Sequence, residues 1–337
     1  MKKAIFTVDT EGHDGNDPIQ TLIFGKTKDG TFAGIPMIMD ICDQYNVKGL
    51  FFVDFAEAWD YGKEKIKEVV LYIKNRGHDV GVHIHPDHMA DKERMFLSQY
   101  SYQEQYDIIK KCTDLYIEIT GEKPVAFRAG KYGANRDTLA ILSELGYKAD
   151  FSEYYGYDKW CHIQPPVTDN ETVKLKNGII EFPVISYENY VKGLFHRHDK
   201  LDINRSAFEH RYLINRILNE EEIQVISLFC HSFSLLSWRH KPDNPTIKKN
   251  EVRHLNEALN HISTCQEIEF SCLDKLIKAD YPLEHVNELG VFEVKGVIAY
   301  YLYIQKAYAT VLSWIQIWLG NHRKMRGKHA KPNDNNG

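Results

Sequence analysis

Short runs rich in β-branched and aromatic residues recur along the chain at 4–8, 47–55, 79–85, 125–128, 147–151, 179–184, 223–230 and 267–270. Each has the length and composition of a buried strand. Between most of them apolar residues fall at helical spacing: Ile38, Ile41, Cys42 and Tyr45 form one stripe, and Val252, Leu255, Leu259 and Ile262 another. Ser206 followed by Glu209 predicts a capping box that opens a helix running to Leu218, with a loss of about 1 kcal/mol if the cap is removed. About eight strands alternating with helices predict an α/β fold closed, or nearly closed, into a β/α barrel. A doubly wound open sheet would show the same alternation, and the polar residues separate the two. Asp9, Glu11, His83, His85, Arg128, Asp150 and His231 fall at or just after the ends of different strands. A barrel brings such ends to one mouth, whereas an open sheet spreads them along an edge.

The barrel is expected to occupy residues 1–285. Two stretches interrupt its rhythm: 154–177, with Pro165-Pro166 at its middle, and 186–203, with three aromatics and two histidines. They are expected either to wall a substrate groove or simply to cover the barrel. From 286 to 320 a helical appendage is expected, because Val297, Tyr301, Ile304, Tyr308, Val311, Ile315 and Trp318 recur at alternating intervals of four and three. That stripe suits packing on the barrel, self-association, or contact with a membrane surface through 297–319. Spanning is disfavoured by Lys306, since a central lysine costs about 3 kcal/mol on insertion. Residues 321–337, with five Lys/Arg against one Asp, read as a disordered basic tail.

Composition adds limits. With 337 residues and a formal charge of -5 the chain has a core-sized apolar content and no basic footprint, so nucleic acid is not an expected partner. Cysteines 42, 112, 161, 230, 265 and 272 form no CxxC pair and fit buried thiols in a reducing compartment. No cationic, apolar leader precedes the first strand, which gives a cytoplasmic expectation, with peripheral contact at the inner membrane face as its variant.

The chemistry starts at Asp9 and Glu11. Period two points both to the same side of one strand end, and carboxylates so placed repel, share a proton, or are held by a cation. Val80-Gly81-Val82-His83-Ile84-His85-Pro86 places two histidines in the same way. One carboxylate and two neutral imidazoles can bind a Zn²⁺-like ion and leave positions open for water and a substrate oxygen. A glycosidase pair made of Asp9 and Glu11 is disfavoured, because residues two apart on a strand cannot flank a glycosidic bond at about 5–9 Å.

Thr7-Val8-Asp9-Thr10-Glu11, the segment 77–86, Phe127-Arg128-Ala129-Gly130-Lys131-Tyr132-Gly133 and Cys230-His231-Ser232 resemble, in order, the motifs of the polysaccharide deacetylase family, carbohydrate esterase family four. Lys48 to Val53 and Asp150-Phe151-Ser152 resemble its second and fifth strands. The resemblance spans residues 3 to 272. It implies a metal-dependent amide hydrolase on a distorted β/α barrel, often seven-stranded, so the expected fold is a distorted (β/α) barrel of seven or eight strands. It further implies Asp9 as base, Glu11 as metal ligand, Arg128 set against the base, and His231 as general acid with a nearby acid raising its pKa. Asp150 would anchor the arginine or bind substrate. Thr10 departs from the family's adjacent aspartates, and the family's four-residue histidine spacing would reach Asp87 rather than a histidine. His85 is the preferred second histidine ligand, with His88 and Asp87 as alternates; His13 reads as groove-lining and His78 as structural.

The reaction so implied removes an N-acetyl group from an amino sugar in a glycan or glycan precursor, using a divalent metal, Zn²⁺ first. An intracellular chain suits a lipid-linked or nucleotide-linked N-acetylated sugar. Hydrolysis of another C–N bond in a small or cyclic amide, and noncatalytic carbohydrate binding, are the alternatives.

Overall fold

The computed structural model describes residues 1–304 except 14, 90, 204 and 285–289. Its strands in chain order are β1 Lys2–Thr10, β2 Leu50–Asp54, β3 Asp79–Ile84, β4 Ala126–Ala129, β5 Ala149–Asp150, β6 Val173–Lys174, β7 Ile180–Glu181, β8 Ser186–Val191, β9 Phe195–Lys200, β10 Val225–His231, β11 Leu236–Ser237, β12 Thr246–Ile247, β13 Ile268–Phe270 and β14 Glu293–Lys295. All eight runs read from the hydrophobic pattern contain a strand of the main sheet. That sheet has the order β10-β1-β2-β3-β4-β5-β7-β6, with β13 on β1. Only the β6–β7 pair is antiparallel. No pairing joins β6 to β10 among the described residues, so the sheet curls into a barrel left open on one side.

Parallel strands covered on both faces require apolar residues at successive positions. Ala4, Phe6, Val8, Phe51, Val53, Val82 and Phe127 belong to the large outer core beneath the helices. Ile5, Leu50, Phe52, Ala126, Ala149, Phe151, Ile180, Phe182 and Val225 make a second cluster on the inner face. Stepping by two along the inner face from Ile5, Phe52, Ala126 and Val225 leads to Thr7 and Asp9, Asp54, Arg128, and then Phe229 and His231. The barrel interior is therefore apolar at its floor and ionisable at its C-terminal mouth. Register finishes the placement: Asp9 lies opposite His231, Asp54 opposite His83, and His83 opposite Arg128.

The expected capping box is present: Ser206 Oγ accepts from Glu209 N–H at 3.4 Å and Glu209 Oε2 accepts from Ser206 N–H at 2.9 Å, opening the helix Ala207–Leu218. The stretch 186–200 forms the hairpin β8–β9, and β14 adds to it as a third strand. Residues 296–304 continue as helix. There Ala299 and Leu302 are buried, while Val297 and Ile304 of the expected stripe are 83% and 43% exposed. The buried face is rotated because β14 feeds the helix from the hairpin, where Tyr303 stacks on Phe195 and Tyr301 meets Phe208. The rest of the expected stripe and the basic tail lie outside the described residues. No described helix is long and apolar enough to cross a membrane. Four of the six cysteines are buried and all six are free thiols.

Candidate active site

Arg128 organises the floor of the mouth. Its guanidinium donates to Asp9 Oδ1 at 2.5 Å, Thr7 Oγ1 at 3.0 Å and the Phe151 carbonyl at 3.2 Å, and it lies 4.5 Å from the centroid of Phe52. A fork of five donors can satisfy three acceptors at once, which an ammonium could not do in this geometry. Burial alone would raise the Asp9 pKa, but Arg128, with His83 and His231, outweighs it and holds the carboxyl below its ordinary value. Asp9 Oδ2 carries no hydrogen bond among the described residues and is available to a proton.

Glu11, His83 and His85 converge above this pair. Glu11 Oε2 lies 2.7 Å from His85 Nε2 and 3.3 Å from His83 Nε2. His83 Nδ1 sits 2.8 Å from the Arg128 carbonyl. A carbonyl can only accept, so Nδ1 holds the proton and Nε2 presents its lone pair toward Glu11. His85 is pressed into place by Gly130: a Cβ there would stand 2.6 Å from the Ile84 carbonyl and 2.7 Å from the His85 ring. Desolvation favours neutral His85, yet Glu11 and Asp54 win and raise it to about 9. Glu11 is depressed well below a normal carboxyl, since His85, His13 and His83 together exceed its burial. The three groups offer ligand atoms within 4.8 Å of one another, and two imidazoles with one carboxylate are a fitting donor set for a divalent ion. Ser232 pins the Glu11 backbone by donating to its carbonyl at 3.0 Å.

His231 closes the mouth, with Nε2 3.8 Å from Glu11 Oε1 and its ring stacked on Phe233. The expectation of a raised pKa is corrected here. Desolvation against Phe229 and Phe233 outweighs Glu11 and Asp9, and the imidazole is held below its ordinary value. His13 stacks on Trp238 at the rim with its Nε2 3.6 Å from Glu11, while His78 is buried and accepts from Gly49 N–H at 3.1 Å.

Asp150 is the second correction. In the β4–β5 register Asp150 lies opposite Phe127, an outer-core residue, so it points away from the mouth that Arg128 faces. It accepts from Ser152 Oγ at 2.8 Å and belongs with Glu181 and Glu153, a buried acid group whose pKa values are all raised by desolvation. The arginine is instead reached by the next residue's carbonyl, Phe151.

Of the alternate ligands, His88 turns its Nδ1 to Asp60 at 2.6 Å and its Nε2 toward Asp54 at 3.9 Å. His88 instead groups with Asp54 and Glu57, whose ligand atoms lie within 4.8 Å of one another, and Asp87, in the turn Pro86–His88, joins neither set of three. Asp54 and Glu57 went unnoticed in the sequence. Asp54 Oδ1 accepts from Ala56 N–H and from His85 N–H, and Glu57 Oε1 accepts from Gly12 N–H at 2.5 Å, so these two carboxyls brace both metal-type ligand loops from behind. Burial raises both, Glu57 further through the charge of Asp54. The available signal was an acid ending the apolar run Leu50-Phe51-Phe52-Val53-Asp54, the same pattern that drew notice to Asp9.

The fold and this mouth define a β/α-barrel protein with a carboxylate–imidazole centre of the kind that serves hydrolysis. Residues 27–149 match the family model for polysaccharide deacetylase, a segment that includes His83, His85 and Arg128. A peptidoglycan deacetylase-like protein of Gibberella zeae is 40% identical over 55 residues, which is 16% of this chain and 16% of that protein. A polysaccharide deacetylase candidate from Mycobacterium smegmatis shares the fold, with a TM-score of 0.56 at 15% identity over 86% of this chain and 94% of its own. So does a 4-alpha-glucanotransferase from Thermococcus litoralis, with a TM-score of 0.54 at 11% identity over 87% of this chain and 41% of that one. Residues 27–149 are thus similar to the polysaccharide deacetylase family, and the fold is shared with the Mycobacterium smegmatis protein. The glucanotransferase shares the barrel without the name, so the reaction has to be argued from the site.

Proposed function

We propose that the protein is a metal-dependent carbohydrate N-deacetylase that releases acetate from an N-acetylated amino sugar of a glycan or glycan precursor. The observation that carries this reading is the separation of two carboxylates at one strand end. Glu11 faces His83 and His85, whereas Asp9 is held by Arg128. A divalent ion, Zn²⁺ by the donor set, would be held by Glu11, His83 and His85 and would supply Lewis acidity for the acetamido carbonyl. Asp9, kept ionised by Arg128, takes the proton of the attacking water through Oδ2. Arg128 fixes that carboxylate in place and keeps its charge when the proton leaves. His231, beside Asp9 on the adjacent strand, gives a proton to the departing nitrogen, so the products are acetate and a free amine. Burial favours neutral His231, so the donating imidazolium is the minor form near pH 7, and Glu11 and Asp9 are the charges that favour it.

Metal content and acetate release by the purified chain test the proposal. Wild type should hold one divalent ion at this site after supplementation, and His83→Ala and His85→Ala should lose it. Asp9→Asn and His231→Ala should keep the metal and lose activity by about 10²–10⁴-fold, the usual contribution of a positioned acid or base. A protein that takes up no divalent metal, or one in which both Asp9→Asn and His231→Ala deacetylate at the wild-type rate, refutes the reading. Metal retained in His85→Ala and lost in His88→Ala would move the second ligand to His88.

A further inference from the structure

Beside Asp9 and His231 lies a cavity of about 320 Å³ bounded by Lys131, Tyr132, Tyr154, Tyr157, Trp160 and Lys200. Its walls come from the two stretches that interrupt the barrel and from the turn Gly130–Tyr132 after β4. Tyr154 and Tyr157 stack at 4.8 Å, Tyr157 and Trp160 are nearly parallel at 6.4 Å, and Tyr132 meets Tyr154 edge-on. Such plates suit the C–H face of a sugar or the face of a base.

Two lysines face this cavity, Asp199 lies in its lining, and Asp202 and Asp9 are near enough to act on Lys200. Lys200 Nζ lies 4.2 Å from the centroid of Phe229, 4.9 Å from Tyr132 and 5.8 Å from Tyr154, and donates to Tyr132 Oη at 3.2 Å. Neither Lys200 nor Lys131 makes an ion pair among the described residues. Asp199, the carboxylate of the lining, is already engaged by Arg197 at 2.7 and 2.9 Å and by Asn189 at 3.3 Å. Ring faces stabilise an ammonium without neutralising it, so Lys200 and Lys131 can each still donate to an anionic group of a bound molecule. The backbone points the same way. Lys131 and Tyr132 stand consecutively at φ 53° and 57°, a conformation that non-glycine residues rarely adopt and that clusters at functional sites.

We propose that this cavity is an anion-recognising subsite: the substrate's acetamido sugar carries a phosphate or carboxylate that Lys200 and Lys131 bind while the tyrosine–tryptophan stack holds an adjoining ring. The proposal rests on the deacetylase reading and narrows its substrate class. Neutral glycan chains are then poor substrates, and the reaction that supplies the substrate leaves an anionic group on or next to the N-acetylated sugar. Phosphate would come from a sugar phosphate, nucleotide sugar or lipid diphosphate, and carboxylate from an acidic sugar.

The test uses the full, Zn²⁺-loaded protein and a matched set: the methyl glycoside of N-acetylglucosamine, its 1-phosphate, UDP-N-acetylglucosamine and N-acetylglucosaminuronic acid. At least one anionic member should exceed the neutral glycoside in kcat/KM by about tenfold or more, and which member wins identifies the source of the charge. Lys200→Met should raise KM for that substrate about 10–100-fold with kcat within about threefold, leave the neutral glycoside unaffected, and be partly rescued by Lys200→Arg. Equal turnover of neutral and charged members, or an equal loss on both in Lys200→Met, overturns the subsite. Calorimetric binding of N-acetylglucosamine 1-phosphate and inorganic phosphate to Asp9→Asn protein, with and without Lys200→Met, separates the two claims. Lys200-dependent binding without any acetate release keeps the subsite and sinks the deacetylase reading. Acetate release with binding indifferent to charge and to Lys200 does the reverse.

Discussion

Replacing Arg128 by Met should remove the cation on which the base depends and leave its carboxylate stranded. Arg128 is 1% exposed and makes three directed bonds, to Asp9, Thr7 and the Phe151 carbonyl. Taking one partner from a buried ion pair costs about 3–5 kcal/mol, most of it the uncompensated charge left behind. For a 337-residue chain the unfolding entropy is roughly 0.7 kcal/mol per kelvin, at about 2.1 cal/mol/K per residue, so melting should fall by about 4–7 °C near pH 7. The pH dependence distinguishes this cause from simple loss of packing. In wild type the Asp9 pKa is depressed, so its stabilisation is complete above the unfolded value and is lost as pH falls through the folded one. In Arg128→Met only His83 and His231 oppose desolvation, the folded pKa should rise above the unfolded one, and the penalty then grows as pH rises. The gap between the two melting curves should therefore narrow steadily from pH 7 toward pH 4. Calorimetric or circular-dichroism melts on chelator-treated protein measure it without a bound-metal contribution. A drop below about 1 °C, or one of equal size at pH 7 and pH 4, would show that Arg128 does not hold an ionised Asp9.

Other outcomes follow from buried groups away from the mouth. His210 is 1% exposed, neither ring nitrogen has a hydrogen-bond partner among the described residues, and burial with His261 and Arg205 lowers it to about 3. Its folded pKa lies below the unfolded one, so stability is intact above about 6.5 and falls by about 1.4 kcal/mol per pH unit below it; His210→Phe should recover about 2 kcal/mol at pH 5, read from melts at pH 7 and pH 5. Glu181 is fully buried with its pKa raised well above normal by burial, Asp150 and Glu153, so its neutral form dominates the fold and stability declines as pH rises above about 4.5. Glu181→Gln should flatten that alkaline decline, and a variant as pH-sensitive as wild type up to pH 9 contradicts the assignment. Ser206→Ala removes one half of a capping box and should lower stability by about 1 kcal/mol in denaturant titration, with Ser206→Asp restoring it.

The local pattern was enough to identify the strands and the chemistry at their ends. Buried parallel strands must be continuous apolar runs, so Phe6–Val8, Phe51–Val53 and Ile226–Cys230 announce themselves, and an acid or histidine ending such a run stands out. Period two was also enough to put Asp9 beside Glu11 and His83 beside His85. What one strand cannot encode is which face turns inward relative to its neighbour, because that parity is set by pairing register. Asp150 and Arg128 both end strands, yet the β4–β5 register sends one outward among acids and the other inward to Asp9. The mouth's electrostatics were equally out of reach: desolvation by Phe229 and Phe233 reverses the expected shift on His231. Only folding brings Lys200, from a hairpin inserted between the seventh and tenth strands, over the ring of Phe229 beside Asp9. Residue types and their spacing thus determined what chemistry the chain can do. Register and loop closure, which depend on contacts between separate segments of the chain, decided which side chains do it together.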